Sequence, residues 1–133
     1  MKITSKSDYA MIIMIELAKS PNGELISLGK IAEKFNLSLS YIEQLASSLR
    51  RAKLITSKQG VKGGYALAKS TSQISSRDII KAVGDEVQTV TCNGDRESCS
   101  KFEFCNAKQS WKYLNKKVAE VFNKVSLKEL VNG

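Results

Sequence analysis

Three short helical patterns separated by tight turns occupy the first 52 residues and constrain the fold most. From Asp8 to Ser20 the apolar residues recur at the spacing of a helix with one buried face, and Pro21–Gly23 ends this pattern. A second short pattern follows Ser27, which has the chemistry of an N-cap. Asn36–Ser38 then supplies the tight turn that joins the two helices of a helix-turn-helix.

The third pattern, residues 38 to 52, is the predicted recognition helix. Ser40 and Glu43 have the spacing of a capping box at its start. Its polar side carries the candidate DNA contacts: Ser38, Ser40, Tyr41, Glu43, Gln44, Ser48, Arg50 and Arg51. Gln44 can pair bidentately with adenine, and Glu43 can accept from the amino group of cytosine. On the pattern alone, an ordinary solvated helix face is an equally good interpretation.

A glycine-rich hairpin follows this helix. Residues 54–57 and 65–68 are typical of two strands, and the tip between them contains Lys58, Gln59 and Lys62. Lysines at such a tip would meet the DNA backbone. A nucleotide-binding loop is disfavoured, because no helix follows the glycines and the Gly-Lys-Ser/Thr ending is missing. The hairpin favours a winged helix-turn-helix.

Charge supports a polyanionic partner for the N-terminal half. The net charge is +8. Residues 1–70 contain eleven Lys/Arg and five Asp/Glu, whereas residues 71–133 contain ten Lys/Arg and eight Asp/Glu. A surplus of this size suits double-stranded promoter DNA, although many solvated surfaces are equally basic.

Other classes of protein are disfavoured by what the sequence lacks. No stretch approaches the roughly 18 apolar residues of a membrane span, and the first eight residues do not resemble a signal peptide. We therefore expect a cytoplasmic chain with no membrane partner. The sequence has no histidine and no visible nucleophile–base pair, so an enzyme is not expected.

Cys92, Cys99 and Cys105 lie within fourteen residues of one polar segment. Thiols grouped this closely favour a shared metal or cluster over packing. Their spacing matches neither the Cys-x-x-Cys pairs of zinc ribbons nor ferredoxin runs, so spacing alone is a weak signal. Reversible thiol chemistry, or no role for the cysteines, stays open as an alternative.

A long helix is predicted after this segment. Trp111, Leu114, Val118, Val121 and Val125 recur in steps of three and four, as on the seam of paired helices. We expect a homodimer, which would fit a palindromic operator, while a helix packed on its own core is the alternative. The predicted division is residues 1–84 for the winged helix-turn-helix, 85–106 for the cysteine loop, and 107–133 for the dimerisation helix with a last short helix.

Several motifs in order closely resemble the IscR/NsrR-type family of bacterial regulators. They are Ile3–Ala10, Ser40–Leu45, Leu49–Leu54 and Gly60–Ala68, and the resemblance continues through Ile79–Val83, the cysteine loop and Trp111. It implies a mainly α-helical, dimeric winged-helix repressor whose operator binding is controlled by an iron-sulfur cluster. IscR-like control of cluster biogenesis genes is favoured, with an NsrR-like nitric oxide sensor or a cluster-free regulator as alternatives.

The resemblance also bears on single residues. In IscR-like relatives with a two-iron cluster a histidine follows the last cysteine by three residues, but Lys108 stands there. In NsrR-like relatives with a four-iron cluster, an aspartate near the start of the partner's first helix is a ligand, and Asp8 stands at that position. The implied ligand set is Cys92, Cys99, Cys105 and Asp8, with the nuclearity open. The alternative for Asp8 is helix-dipole stabilisation. Many relatives also carry a minor-groove arginine where this chain has Gln59.

Overall fold

A computed structural model describes residues 3–87 and 102–133. These residues form a mainly helical protein with one small antiparallel hairpin. In chain order the elements are α1 (Ser5–Ala18), α2 (Leu28–Phe35), α3 (Leu39–Arg51), β1 (Ile55–Lys58), β2 (Gly64–Leu67), α4 (Ser76–Ala82), α5 (Lys108–Lys124) and α6 (Leu127–Asn132). The predicted winged helix-turn-helix architecture, with a long helix after it, is confirmed.

Two helix starts differ from the prediction. The first helix begins at Ser5 rather than at Asp8, because the Thr4 side chain accepts a hydrogen bond from the Ser7 amide. The predicted capping box at Ser40 is wrong: Ser38 is extended and accepts from the Tyr41 amide at 3.4 Å, so α3 begins at Leu39. Ser40 lies inside the helix.

The hydrophobic core joins the N-terminal helices to α4 and to α6. Ile13 of α1, Ile42 of α3, Ile79 of α4 and Leu127 of α6 are completely buried and belong to one cluster. The Leu127 amide donates to the carbonyl of Ile74, just before α4, at 2.8 Å, and α6 also packs on α1. The predicted division of the chain at residues 84 and 107 stays a prediction.

The hairpin is attached to the segment before α2. Its register pairs Ile55 with Leu67 and Lys58 with Gly64, and Ile26 exchanges two backbone hydrogen bonds with Tyr65, at 2.9 and 2.8 Å. Gly64 has φ +155°, and a Cβ there would lie 2.7 Å from the Ile26 carbonyl oxygen. Only glycine allows this close approach, so Gly64 sets the position of the wing.

In the two described stretches, no helix has the length and apolar character needed to cross a membrane.

Candidate DNA-binding surface and sensor segment

One side of α3 presents polar and charged side chains to solvent. Glu43, Gln44, Arg50 and Arg51 are exposed, as are Ser38 and Ser40, while Ser48 is half-buried. The opposite side is formed by Ile42, Leu45, Ala46 and Leu49, all buried. The helix is thus held by its apolar face, and the predicted DNA contacts occupy the face that a groove could reach.

Tyr41 differs from the other residues of this set. It is half-buried, and its ring meets the Tyr9 ring edge-to-face, with centroids 5.6 Å apart. The ring therefore contributes to the packing of α3 on α1. Its contact with DNA stays a prediction.

Hydrogen bonds orient the two arginines at the end of α3. Arg50 Nη1 donates to Ser57 Oγ on β1 at 3.1 Å, and Arg51 Nη2 donates to Ser48 Oγ at 3.2 Å. A guanidinium has five N–H donors, so each arginine keeps donors for a phosphate. Arg50 also links the recognition helix to the wing.

The wing tip is exposed and basic. Lys58, Gln59 and Lys62 are exposed, and Val61 between them is 107% exposed. No ion pair to Lys58 or Lys62 forms within residues 3–87 and 102–133. Both ammonium groups are therefore available to phosphates.

Recognition helix and wing meet at one cleft of about 520 Å³. Glu43 of α3 lies on one wall and Lys58 and Gln59 of the wing on another. The start of α2, with Ser27 and Gly29, forms a third side. The N-terminus of a helix attracts anions such as phosphates. Sequence reasoning overlooked the start of α2 as a side of this cleft, although an N-cap followed by Gly29 and Lys30 is a usable signal.

The predicted cluster ligands are only partly within the described residues. Cys92 and Cys99 lie outside them. Cys105 is a half-buried free thiol that precedes α5, and Asp8 is exposed in the first turn of α1. In the described part of the chain no three His, Cys, Asp or Glu residues are grouped closely enough to hold a metal ion.

The two described candidates fit a ligand set by their chemistry. The Cys105 sulfur is not in a disulfide, and no hydrogen bond or ion pair from the described residues engages the Asp8 carboxylate. A thiolate and a free carboxylate are both competent iron donors. The complete ligand set stays a prediction.

Asp85, at the start of the predicted cysteine loop, contacts α1. Its carboxylate accepts hydrogen bonds from Ser7 Oγ at 2.5 Å and from Thr4 Oγ1, and Lys6 Nζ lies 3.6 Å away. Desolvation alone would raise the pKa of the Asp85 carboxyl; the two hydroxyl donors and the Lys6 charge outweigh it and hold the pKa below its ordinary value. We call this arrangement the Asp85 clamp.

The clamp joins two parts of the chain that lie close to predicted cluster ligands. Asp85 lies a few residues before Cys92 in the chain, and Ser7 is the neighbour of Asp8. Sequence reasoning missed this contact, because 78 residues separate Ser7 from Asp85.

The apolar seam predicted for α5 is largely uncovered. Leu114 is 43% exposed, Val121 58% and Trp111 36%, while Val118 and Val125 are half-buried. The helix instead turns Asn115, 5% exposed, inward and packs on α4. A monomer leaves this stripe in water.

Comparison with known proteins identifies the family. The family model described as "Rrf2: Iron-dependent Transcriptional regulator" matches residues 3–133. The chain is 38% identical to a putative HTH-type transcriptional regulator of Haemophilus influenzae, over 99% of this chain and 87% of the relative. It is 37% identical to the HTH-type transcriptional regulator IscR of Pectobacterium atrosepticum, over 100% of this chain and 80% of the relative.

Solved structures agree with this. CymR, the global cysteine regulator of B. subtilis, superposes with a TM-score of 0.80 at 34% identity, covering 99% of this chain and 97% of that one. The IscR of T. potens superposes with a TM-score of 0.78 at 30% identity, covering 99% of this chain and 87% of that one. The oxidized form of Staphylococcus aureus CymR superposes with a TM-score of 0.76 at 39% identity, covering 100% of this chain and 98% of that one. The resemblance in sequence motifs is therefore confirmed, and the chain belongs to the Rrf2 family of transcriptional regulators, which are not enzymes.

Proposed function

We propose that this chain is a homodimeric repressor that binds double-stranded promoter DNA in the cytoplasm and is controlled by an iron-sulfur cluster. The observation that carries DNA binding is the single cleft shared by α3, the wing and the start of α2. As for IscR-like regulators, the genes under its control would be those of iron-sulfur cluster biogenesis. An NsrR-like response to nitric oxide is the alternative within the cluster-bound class.

α3 and the wing have separate tasks on DNA. α3 enters the major groove, where Gln44 reads adenine and Glu43 reads cytosine, each pairing contributing about 1–3 kcal/mol of discrimination. Arg50 and the wing lysine Lys62 contact phosphates, which position the protein without reading sequence.

The second copy of this chain is the occupant proposed for the apolar stripe on α5. The stripe has the alternating steps of a helix seam, and two of its residues, Leu114 and Val121, are 43% and 58% exposed. Two copies paired through this stripe are related by a two-fold axis, and their α3 helices can then meet two half-sites of a palindromic operator. Leu114→Lys should yield monomers in light scattering, whereas Lys116→Glu, on the opposite side of α5, should stay dimeric; a dimeric Leu114→Lys would contradict this interface.

Cys92, Cys99 and Cys105 would hold the cluster, and Asp8 of the partner would complete the set. A bound cluster supplies an iron with a hard oxygen ligand, and this iron is the exchangeable position for oxygen or nitric oxide. Asp8 sits at the start of the helix that packs directly on α3. The chain itself therefore provides a short route from the ligand to the recognition helix.

DNA binding is tested by selecting operator sequences from a random library and measuring fluorescence anisotropy at several salt concentrations. Gln44→Ala should change the preferred sequence, while Lys62→Ala should weaken all sequences alike and reduce the salt slope by about one. Lys128→Ala, an exposed lysine on α6, is the matched control. Binding that does not depend on salt, or equal effects of Lys62→Ala and Lys128→Ala, would contradict the proposal.

The cluster is tested by anaerobic absorption and Mössbauer spectroscopy on the wild type, Cys92→Ala and Asp8→Ala. Loss of the cluster in Cys92→Ala and an altered iron site in Asp8→Ala are expected. A four-iron spectrum that is unchanged in Asp8→Ala would rule out the aspartate as a ligand.

A thiol-responsive regulator is the second candidate. Two structural relatives are CymR proteins, one named as a global cysteine regulator and one solved in an oxidized form. In that case the half-buried free thiol of Cys105 would act by reversible oxidation. Colourless, iron-free protein after anaerobic reconstitution, with DNA affinity that responds to peroxide and is restored by a thiol reductant, would favour this candidate over the cluster.

A further inference from the structure

A second cleft, between α4 and α5, brings four cationic side chains together. Arg77 and Lys81 are four residues apart on α4, and Lys112 and Lys116 are four residues apart on α5, so each pair shares one face of its helix. α4 and α5 pack on each other. All four residues line one cleft of about 600 Å³.

The charge of this cleft is not balanced from within. Glu86 is the one acidic residue among the described residues that line it. Lys6–Asp85, Lys34–Glu16 and Lys117–Glu120 are ion pairs of the described stretches, and none of them involves the four cations. Like charges four residues apart on a helix repel each other. The fold therefore holds an excess of positive charge at a concave site, where an anion would relieve the repulsion.

The remaining lining indicates an organic ligand rather than a bare ion. Gln109 and Tyr113 add neutral hydrogen-bonding groups, and Val87 and Ala119 add apolar wall. The volume lies in the range of about 300–1,000 Å³ that is usual for small-molecule sites. Arginine binds carboxylate and phosphate groups bidentately, while lysine supplies point charges.

We propose that the cleft between α4 and α5 binds a small organic anion with at least two carboxylate or phosphate charges. Two features connect the site to the rest of the molecule. Because each residue of a helix is rotated by about 100° from the one before it, the α5 residues that line the cleft lie roughly opposite Leu114 and Val121. The site and the proposed dimer contact therefore use different sides of α5. On the other wall, Glu86 and Val87 directly follow Asp85 of the clamp.

The site is tested by calorimetric titration of the full chain at matched ionic strength. The probes are succinate, a dicarboxylate, and glycerol 2-phosphate, an organic phosphate dianion, with uncharged glycerol as the control ligand. At least one dianion should bind with a Kd below about 1 mM, and glycerol should not. Succinate alone, glycerol 2-phosphate alone, or both would assign the site to carboxylates, to phosphates, or to dianions in general.

Matched double variants locate the binding. Lys112→Gln/Lys116→Gln should weaken it by about tenfold or more, and Arg77→Gln/Lys81→Gln should do the same from α4. Lys124→Gln/Lys128→Gln removes equal charge outside the cleft and should change the affinity by less than about twofold. The two cleft variants come from different helices, so a fold defect in one leaves the other as the test.

Two kinds of result would overturn the proposal. One is that neither dianion binds the wild type. The other is that binding persists unchanged in the folded cleft variants, or falls equally in Lys124→Gln/Lys128→Gln. The titration needs no operator and no cluster, so its outcome is independent of the proposed function.

Discussion

Replacing Asp85 with alanine is expected to lower the free energy of unfolding by about 2 kcal/mol. The largest contribution comes from Ser7, which is 2% exposed and donates to the carboxylate at 2.5 Å. Without an acceptor, the buried Ser7 hydroxyl costs about 1–3 kcal/mol. Thr4 is exposed and the Lys6 side chain is 46% exposed, so solvent screening limits the ion pair to roughly 0.5 kcal/mol.

Equilibrium urea denaturation at neutral pH measures this effect. With an m-value of about 2 kcal/mol per molar urea, the midpoint should fall by about 1 M. All variants are compared at one protein concentration, because dimerisation makes the apparent stability depend on it. Glu33→Ala, at an exposed position on α2, is the matched control and should change stability by less than about 0.5 kcal/mol.

A double-mutant cycle with Ser7→Ala isolates the hydrogen bond. Asp85 and Ser7 should couple by about 1 kcal/mol or more, because the second substitution costs little once the first has removed the bond. The reasoning is refuted if Asp85→Ala costs less than about 0.5 kcal/mol, or if the two substitutions are additive.

The clamp also predicts a pH dependence. The pKa of Asp85 is lowered in the folded state, so its contribution is present above the ordinary carboxyl pKa of about 4 and is lost as the pH falls through the folded value. The stability difference between wild type and Asp85→Asn should therefore shrink at acidic pH. A difference that stays constant from about pH 6 to pH 3 would contradict the lowered pKa.

Three further substitutions test the fold. Gly64→Ala places a Cβ 2.7 Å from the Ile26 carbonyl oxygen; it should destabilise the protein by about 1 kcal/mol or more and weaken DNA binding, whereas Gly29→Ala, inside α2, should not destabilise it in thermal melts. Leu127→Ala removes a fully buried side chain and should cost about 2–5 kcal/mol in urea denaturation, and a cost under about 1 kcal/mol would mean that α6 is not part of the core. Ser38→Ala should lower the free energy of unfolding by about 1 kcal/mol, because α3 loses its N-cap, while Ser40→Ala should have almost no effect. A larger loss in Ser40→Ala than in Ser38→Ala would mean that Ser40 is the N-cap.

Local patterns predicted the helices well, because helix periodicity and capping depend on neighbours in sequence. Ser27 caps α2, as expected, and Ser126 with Glu129 forms a capping box on the predicted last short helix, α6. The start of α3 was harder to predict, since Ser38 and Ser40 have the same chemistry. Only the extended backbone of Ser38, φ −63° and ψ 121°, decides between them.

Contacts that depend on tertiary packing could not be predicted in this way. The Asp85 clamp and the cationic cleft each join residues from distant parts of the chain, and no local spacing indicates them. The exposure of the α3 side chains was predictable, because it follows from the apolar stripe on the same helix. The inward rotation of Tyr41 was not, since it depends on the ring of Tyr9.

The burial of Leu127 has a consequence for synthesis of the protein on the ribosome. The core beneath the recognition helix uses this residue from α6, which is made long after α3. Domains fold as units while the chain emerges, and here the DNA-binding unit is completed only when α6 has left the ribosome. A nascent chain that already carries α3 and the wing therefore still lacks part of the core, and we expect α3 to be held firmly only after α6 has been made.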